Sequence, residues 1–229
     1  MRNTEVIEGV RDSIPIVLGY LPLGFAFGVM ANAAGMNLLQ ATMMSVLCFT
    51  GAGQYVAIGV MQAGGAAFTA IAANVLINQR YTLFSTSMIP YLKKIPTWIA
   101  ALLSYGLTDE TYAVAMSRYR DQEATAFYMA GLNITAHLGW ISSTVLGAWL
   151  GTLISNTDRL GLGFALPAMY TCLLVLMVQK KSDAWVAVLS AVTCIIMAYL
   201  VPATMANLSN IIVATLIGAS LGVLFNERN

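Results

Sequence analysis

Eight long apolar runs follow one another with only short connections between them: residues 14–34, 39–61, 66–89, 95–117, 126–154, 163–179, 184–201 and 207–225. A hydrocarbon core about 30 Å thick is crossed by about 20 residues of α-helix, so each run is a candidate span. In lipid every backbone N–H and C=O must pair internally, which makes these runs helices. The short alternating segments of a membrane barrel are absent. Composition agrees: 59% of the 229 residues are hydrophobic and 9% are charged, with a mean hydropathy of +0.76. A soluble domain carries about 25% charged residues and has too little room to hide this much apolar surface. The expected fold class is all-α: one polytopic transmembrane helix bundle over 1–229, of seven or eight spans, with no soluble domain large enough for chemistry.

The fourth run is the weakest. Ile95 to Leu107 is apolar, Asp109-Glu110 interrupts it and Tyr112 to Met116 resumes it. It reads as a broken helix, a re-entrant element or a short tilted span. With eight crossings and the N-terminus inside, the cytoplasmic side collects Arg2, Arg11, Arg118, Arg120, Lys180, Lys181 and Arg228. The outside receives Lys93, Lys94 and Arg159. That asymmetry favours both termini inside. The Lys93-Lys94 pair disagrees, and points to an early segment that does not cross fully.

The first run is preceded by mixed charges (Arg2, Glu5, Glu8, Arg11, Asp12) and lacks a small-residue cleavage site, so it reads as a retained helix. Cys48, Cys172 and Cys194 lie in apolar runs without paired spacing and read as small packing residues. A net charge of +1 supplies no basic field for nucleic acid. Three small-residue pairs, Gly24/Gly28, Gly147/Gly151 and Gly218/Gly222, fit close helix packing. A weak internal echo pairs Pro22-Leu23-Gly24 with His137-Leu138-Gly139, and Ala41 to Met44 with Ala165 to Met169. Repeats of this kind are common in transporters, whose sites lie at the repeat interface.

Polar groups deep in a span cost a few kcal/mol and are therefore candidates for function. The third run holds Asn74 and Asn78, one turn apart, and Arg80. Their structural alternative is helix-to-helix hydrogen bonding and snorkelling of Arg80 to an interface. Asp109 and Glu110 are either N-terminal residues of a helix capped in a wet loop or carboxylates facing a cavity, where they bind an ammonium or a proton. Asn133, His137 and Trp140 share a face of the fifth run; a lone histidine is more often a hydrogen-bonding partner than a ligand. Gln54 follows Gly51-Ala52-Gly53 and is placed to line a cavity. Pro22 and Pro167 are candidate helix breaks, since proline frees carbonyls for a neighbour or ligand. No phosphate-binding loop, metal-ligand spacing or nucleophile elbow is present, so no cofactor, metal or enzyme activity is expected.

Several segments resemble the AzlC family, the large subunits of two-component branched-chain amino acid exporters. They are Asp12 to Gly28, Phe49 to Tyr55 (FTGAGQY), Asn78 to Tyr81 (NQRY), Gly106 to Tyr112 (GLTDETY) and Phe164 to Tyr170 (FALPAMY). The resemblance runs from about residue 9 to the last helix, and the first and fourth segments are the most specific. It implies a multi-pass permease of the bacterial plasma membrane that exports leucine, isoleucine, valine and their analogues. It also implies a small membrane partner of the AzlD type. A zwitterion of this class needs a cation for its carboxylate and an acceptor for its ammonium; Arg80 fits the first role, Asp109 or Glu110 the second. Proton coupling falls to Asp109, Glu110 or His137. The competing readings are an ion- or solute-conducting pore, which would need a ring of polar residues, and a membrane scaffold subunit.

Overall fold

The computed structural model describes residues 2–152, 164, 168, 171, 174, 175, 178, 180–202, 213, 214, 216–218 and 220–222. Among them the only regular structure is helical, as expected for a helical membrane protein: α1 (Arg2–Ala33), α2 (Leu38–Leu47), α3 (Gly51–Gln62), α4 (Ala67–Ile77), α5 (Gln79–Leu92), α6 (Thr97–Ser104), α7 (Asp109–Asp121), α8 (Ala126–Gly151) and α9 (Lys181–Leu200). Two segments, Asn3–Ala33 and Lys181–Leu200, are long and apolar enough to cross a membrane. The chain forms two compact units, Met1–Leu166 and Pro167–Asn229. Pro167, the 165–169 half of the internal echo apart from Ala168, Cys172, Arg159 and Arg228 lie outside the described residues. In the second unit, Gly218 packs against Ser190 and Val186 of α9.

The backbone of the first unit is the pair α1 and α8, its most extensive helix contact. They run parallel. Gly9 lies against Tyr128 and Leu132, Gly24 against Trp140 and Ser143, Gly28 against Thr144 and Ala148, and Gly151 against Val29. A Cβ on Gly28 would stand 2.5 Å from the Ala148 amide nitrogen. The small residues therefore let two backbones touch, and the pairs Gly24/Gly28 and Gly147/Gly151 are used within the chain.

Pro22 does not break α1, which continues through both Pro15 and Pro22. Hydroxyls of neighbouring helices bond carbonyls on either side of it. Ser143 Oγ donates to the Tyr20 and Leu21 carbonyls at 3.3 and 3.2 Å, and Tyr55 Oη to the Leu23 carbonyl at 2.8 Å.

Two runs expected as single helices are each two: 39–61 is α2 and α3, and 66–89 is α4 and α5; run 95–117, whose interruption at Asp109-Glu110 suggested a broken helix, falls on α6 and α7. α2 starts just after α1 ends and runs against α8 until Ser45 meets His137 and Thr144. There the chain turns at Cys48–Thr50. α3 then climbs back, with Gly51 at Trp140 and Tyr55 at Leu23 and Phe27. α4 lies antiparallel to α3, since Asn74 bonds Gly53 and Asn78 bonds Thr50. The helix bends at Asn78 and continues as α5. α5 is parallel to α7: Arg80 meets Asp109, Phe84 meets Tyr112, Tyr91 meets Tyr119 and Lys94 meets Glu123. α7 is antiparallel to α1, tied to Tyr20 at its start and to Glu8 and Asp12, through Arg118, near its end. α6 starts beside the Lys94–Glu123 end and rises to Gly106, which lies against Asn133 of α8.

Candidate functional site

Three helix interruptions meet at one level of the first unit: Cys48–Thr50, Asn78 and Tyr105–Thr108. Local sequence accounts for each. Thr50 caps α3, accepting from the Gly53 amide. Thr108 and Thr111 form a reciprocal capping box at the start of α7. Asn78 ends α4 and starts α5 with near-bridge dihedrals, φ −86° and ψ 1°. Side chains then join one break to another. Thr50 Oγ1 donates to Asn78 Oδ1 at 2.7 Å, and Tyr105 Oη donates to the Val46 carbonyl at 2.7 Å.

A cavity of about 650 Å³ opens at this junction. Its walls are mainly apolar, with Met44, Leu47, Ile71, Val75 and Leu107 among them, and its polar groups include Thr50, Gln54, Asn74, Asn78, Tyr81 and Tyr105. Small-molecule sites share this chemistry: apolar walls, a few placed polar groups, about 300–1,000 Å³.

Of the residues singled out from sequence, Gln54, Asn74 and Asn78 line the cavity. The other polar candidates are not among its lining residues. Arg80 Nη1 and Asp109 Oδ2 form an ion pair at 2.8 Å, with the side chains 25% and 20% exposed. The Arg80 guanidinium also lies 5.0 Å from the centre of the Tyr81 ring and donates to its hydroxyl at 3.3 Å. Tyr81 thus touches Arg80 and also lines the cavity. Glu110 turns the other way, accepting from Tyr20 Oη at 2.7 Å, while the same hydroxyl contacts Thr108 Oγ1 at 2.7 Å. The two adjacent carboxylates therefore have different partners: a guanidinium on α5 and a phenol on α1.

Gln54, Trp140 and His137 belong to one buried polar network. Trp140 Nε1 donates to Gln54 Oε1 at 2.7 Å, and Gln54 Nε2 donates to Ser45 Oγ at 3.0 Å. An indole can only donate, which fixes the orientation of the Gln54 amide. Ser45 Oγ continues to Thr144 Oγ1 at 2.8 Å. His137 Nε2 lies 3.0 Å from the Ser45 carbonyl, and its ring stacks on Phe49 with centroids 4.2 Å apart. Because a carbonyl only accepts, Nε2 carries the proton. Asn133 stands apart, donating from Nδ2 to the Leu103 carbonyl at 2.8 Å beneath the α6–α7 turn.

Tyr20, Ser45, Thr50, Tyr81, Tyr105, Thr108 and Thr144 carry much of this framework, and residue type alone does not mark them. Serine, threonine and tyrosine are ordinary in apolar runs; a signal was available for Thr50, Tyr105 and Thr108, whose hydroxyls lie at helix breaks, and none for Tyr20 and Thr144, which lie inside long helices.

The family model described as AzlC protein matches residues 15–154, a stretch that contains all of these site residues. The inner membrane protein YgaZ of Escherichia coli is 30% identical over 190 residues, 79% of this chain and 76% of the relative. An uncharacterized membrane protein of Helicobacter pylori is 28% identical over 200 residues, 83% of this chain and 86% of the relative. The branched-chain amino acid transport protein AzlC of Bacillus subtilis is 22% identical over 177 residues, 76% of this chain and 68% of the relative. No solved structure matches the chain.

Proposed function

The chain belongs to the AzlC family, and from that premise we propose that it is a secondary-active permease exporting branched-chain amino acids. In this reading it is a multi-pass protein of the bacterial plasma membrane, coupled to protons and acting with a small AzlD-type membrane subunit. The observation that carries the proposal is the cavity at the junction of the three interrupted helices. Its aliphatic lining suits a leucine, isoleucine or valine side chain, and Gln54, Asn74, Asn78 and Tyr81 supply the few polar contacts. Interrupted helices are where transporters bind small charged substrates. The name of the Bacillus subtilis relative, a branched-chain amino acid transport protein, supports the same substrate class.

The Arg80–Asp109 pair beside the cavity suits a zwitterion. A bound amino acid exchanges one ion pair for two, its carboxylate on Arg80 and its ammonium on Asp109. Asp109, Glu110 and His137 remain the candidates for the coupled proton. Efflux of radiolabelled leucine from preloaded vesicles tests the whole reading. Efflux driven by a pH gradient is expected when chain and small subunit are present together, and weak efflux from the chain alone. No acceleration with both subunits present would overturn it.

A further inference from the structure

We propose that only α1, α4–α5 and α8 cross the bilayer within residues 2–152. In this topology α2–α3 and α6–α7 are re-entrant half-hairpins that enter from opposite faces and meet at their tips. Helix length is the first argument. At 1.5 Å per residue, the 10, 12, 8 and 13 residues of α2, α3, α6 and α7 span about 12–20 Å each, short of a core of about 30 Å.

Direction is the second. α2 descends from the end of α1 to the level of His137, and α3 rises from Trp140 towards Leu23 and Phe27. α6 starts and α7 ends on the opposite side, where Tyr91 stacks on Tyr119 and Lys94 pairs with Glu123. Each half-hairpin therefore leaves by the face it entered.

Burial of the tips is the third. Irregular backbone at membrane depth survives only where protein covers it or where it lines a cavity. Phe49 and Thr50 are 6% and 7% exposed, Leu107 and Thr108 2% and 5%. Tyr105 of one tip bonds Val46 of the other hairpin, and both tips line the cavity.

Charge agrees independently. Five crossings before residue 154 strand Lys93 and Lys94 on the face opposite the N-terminus. With three crossings, Arg2, Arg11, Lys93, Lys94, Arg118 and Arg120 all fall on the N-terminal face, as the positive-inside rule demands of short flanks. In such a topology α2–α3 closes the cavity towards the outer face and α6–α7 closes it towards the N-terminal face. Withdrawal of one hairpin exposes the substrate to one side only.

Labelling with a membrane-impermeant maleimide decides the matter, and it reads topology without any transport assay. Single cysteines replace the exposed residues Asn3, Asn37, Gln62, Lys94 and Glu123 in a chain whose native cysteines are alanine. Asn3→Cys, Lys94→Cys and Glu123→Cys are expected to react from one face, Asn37→Cys and Gln62→Cys from the other. Gln62→Cys reacting with the Asn3→Cys face, or Lys94→Cys with the Asn37→Cys face, would overturn the proposal. If the cysteine-free chain does not reach the membrane, protease sites inserted after Gln62 and after Lys94 in the native chain give the same readout. Cleavage after Gln62 from the N-terminal face, or after Lys94 from the opposite face, would overturn it equally.

Discussion

Removing Arg80, Asp109 or both separates an ion pair that merely holds α5 to α7 from one that a substrate takes apart. At 2.8 Å the gross attraction is about 6 kcal/mol for an effective dielectric constant of about 20, before desolvation is subtracted. Breaking a fully buried pair from one side costs about 3–5 kcal/mol, because the other charge is left without compensation. These side chains are 25% and 20% exposed, so water reaches the orphaned charge and the cost falls to about 2–3 kcal/mol. Arg80→Ala and Asp109→Ala are each expected to destabilise by that amount. The double variant should lose no more than the worse single one, a coupling energy of at least about 2 kcal/mol. Thermal unfolding of the purified protein in detergent gives the cycle, and leucine binding to the same samples gives the functional arm. The double variant, although folded, should bind leucine about ten- to a hundredfold more weakly, the equivalent of one lost charge-assisted contact. Arg80→Lys keeps the charge but not the two parallel N–H groups, and should also weaken binding. Additive stability losses would refute the pairing argument, and parental leucine affinity in the double variant would refute the binding role.

Other outcomes follow from single contacts. Gly28→Ala places a Cβ 2.5 Å from the Ala148 amide nitrogen, against backbone that cannot yield, and should destabilise by about 1–3 kcal/mol. Gly59→Ala, with nothing within 4 Å of the new Cβ, should be neutral or stabilising in a thermal melt, by up to about 1 kcal/mol. Equal effects would mean that α1 and α8 do not touch through Gly28. Gln54→Leu strips the buried Trp140 N–H of its acceptor and should cost about 1–3 kcal/mol, with a shift in tryptophan emission; an unchanged melt would count against the network. Asp109→Asn or Glu110→Gln should abolish pH-driven leucine efflux while leaving leucine exchange partly intact, and unaltered pH dependence in both would make the carboxylates helix caps. Glu123 is held below the usual carboxylate range by its hydrogen bond to Lys94 and then by the attraction of that ammonium. A depressed pKa contributes stability at neutral pH that is lost as pH falls through the lowered value. The pair is open to solvent, so Glu123→Gln should leave the melt at pH 7 unchanged, and a large fall would show that the loop is anchored there.

Apolarity made the helices legible, but it reports the medium around a segment and not the direction in which it runs. Run 39–61 stays apolar across Cys48–Thr50, because a turn packed among protein side chains needs the same greasy residues as a helix in lipid. What the turn does need is partners for its loosened carbonyls, and one of them is Tyr105, 59 residues further along the chain. No local pattern announces so distant a donor. The break near Asp109 was visible because charge interrupts the run there. The Lys93-Lys94 pair, which an eight-span reading puts opposite the N-terminus, was a second signal, carried by charge and not by hydropathy. The site followed the same division. Arg80, Asp109, Asn74, Asn78 and Gln54 stand out because each is costly in an apolar run, yet the run gives no hint that Arg80 and Asp109 are partners or that Tyr81 joins Arg80 to the cavity lining. Pro22 misled for the converse reason. A proline removes one bond of the ladder, yet α1 runs on through Pro22, packed along α8 and held near the proline by Ser143 of α8 and Tyr55 of α3 on the Tyr20, Leu21 and Leu23 carbonyls.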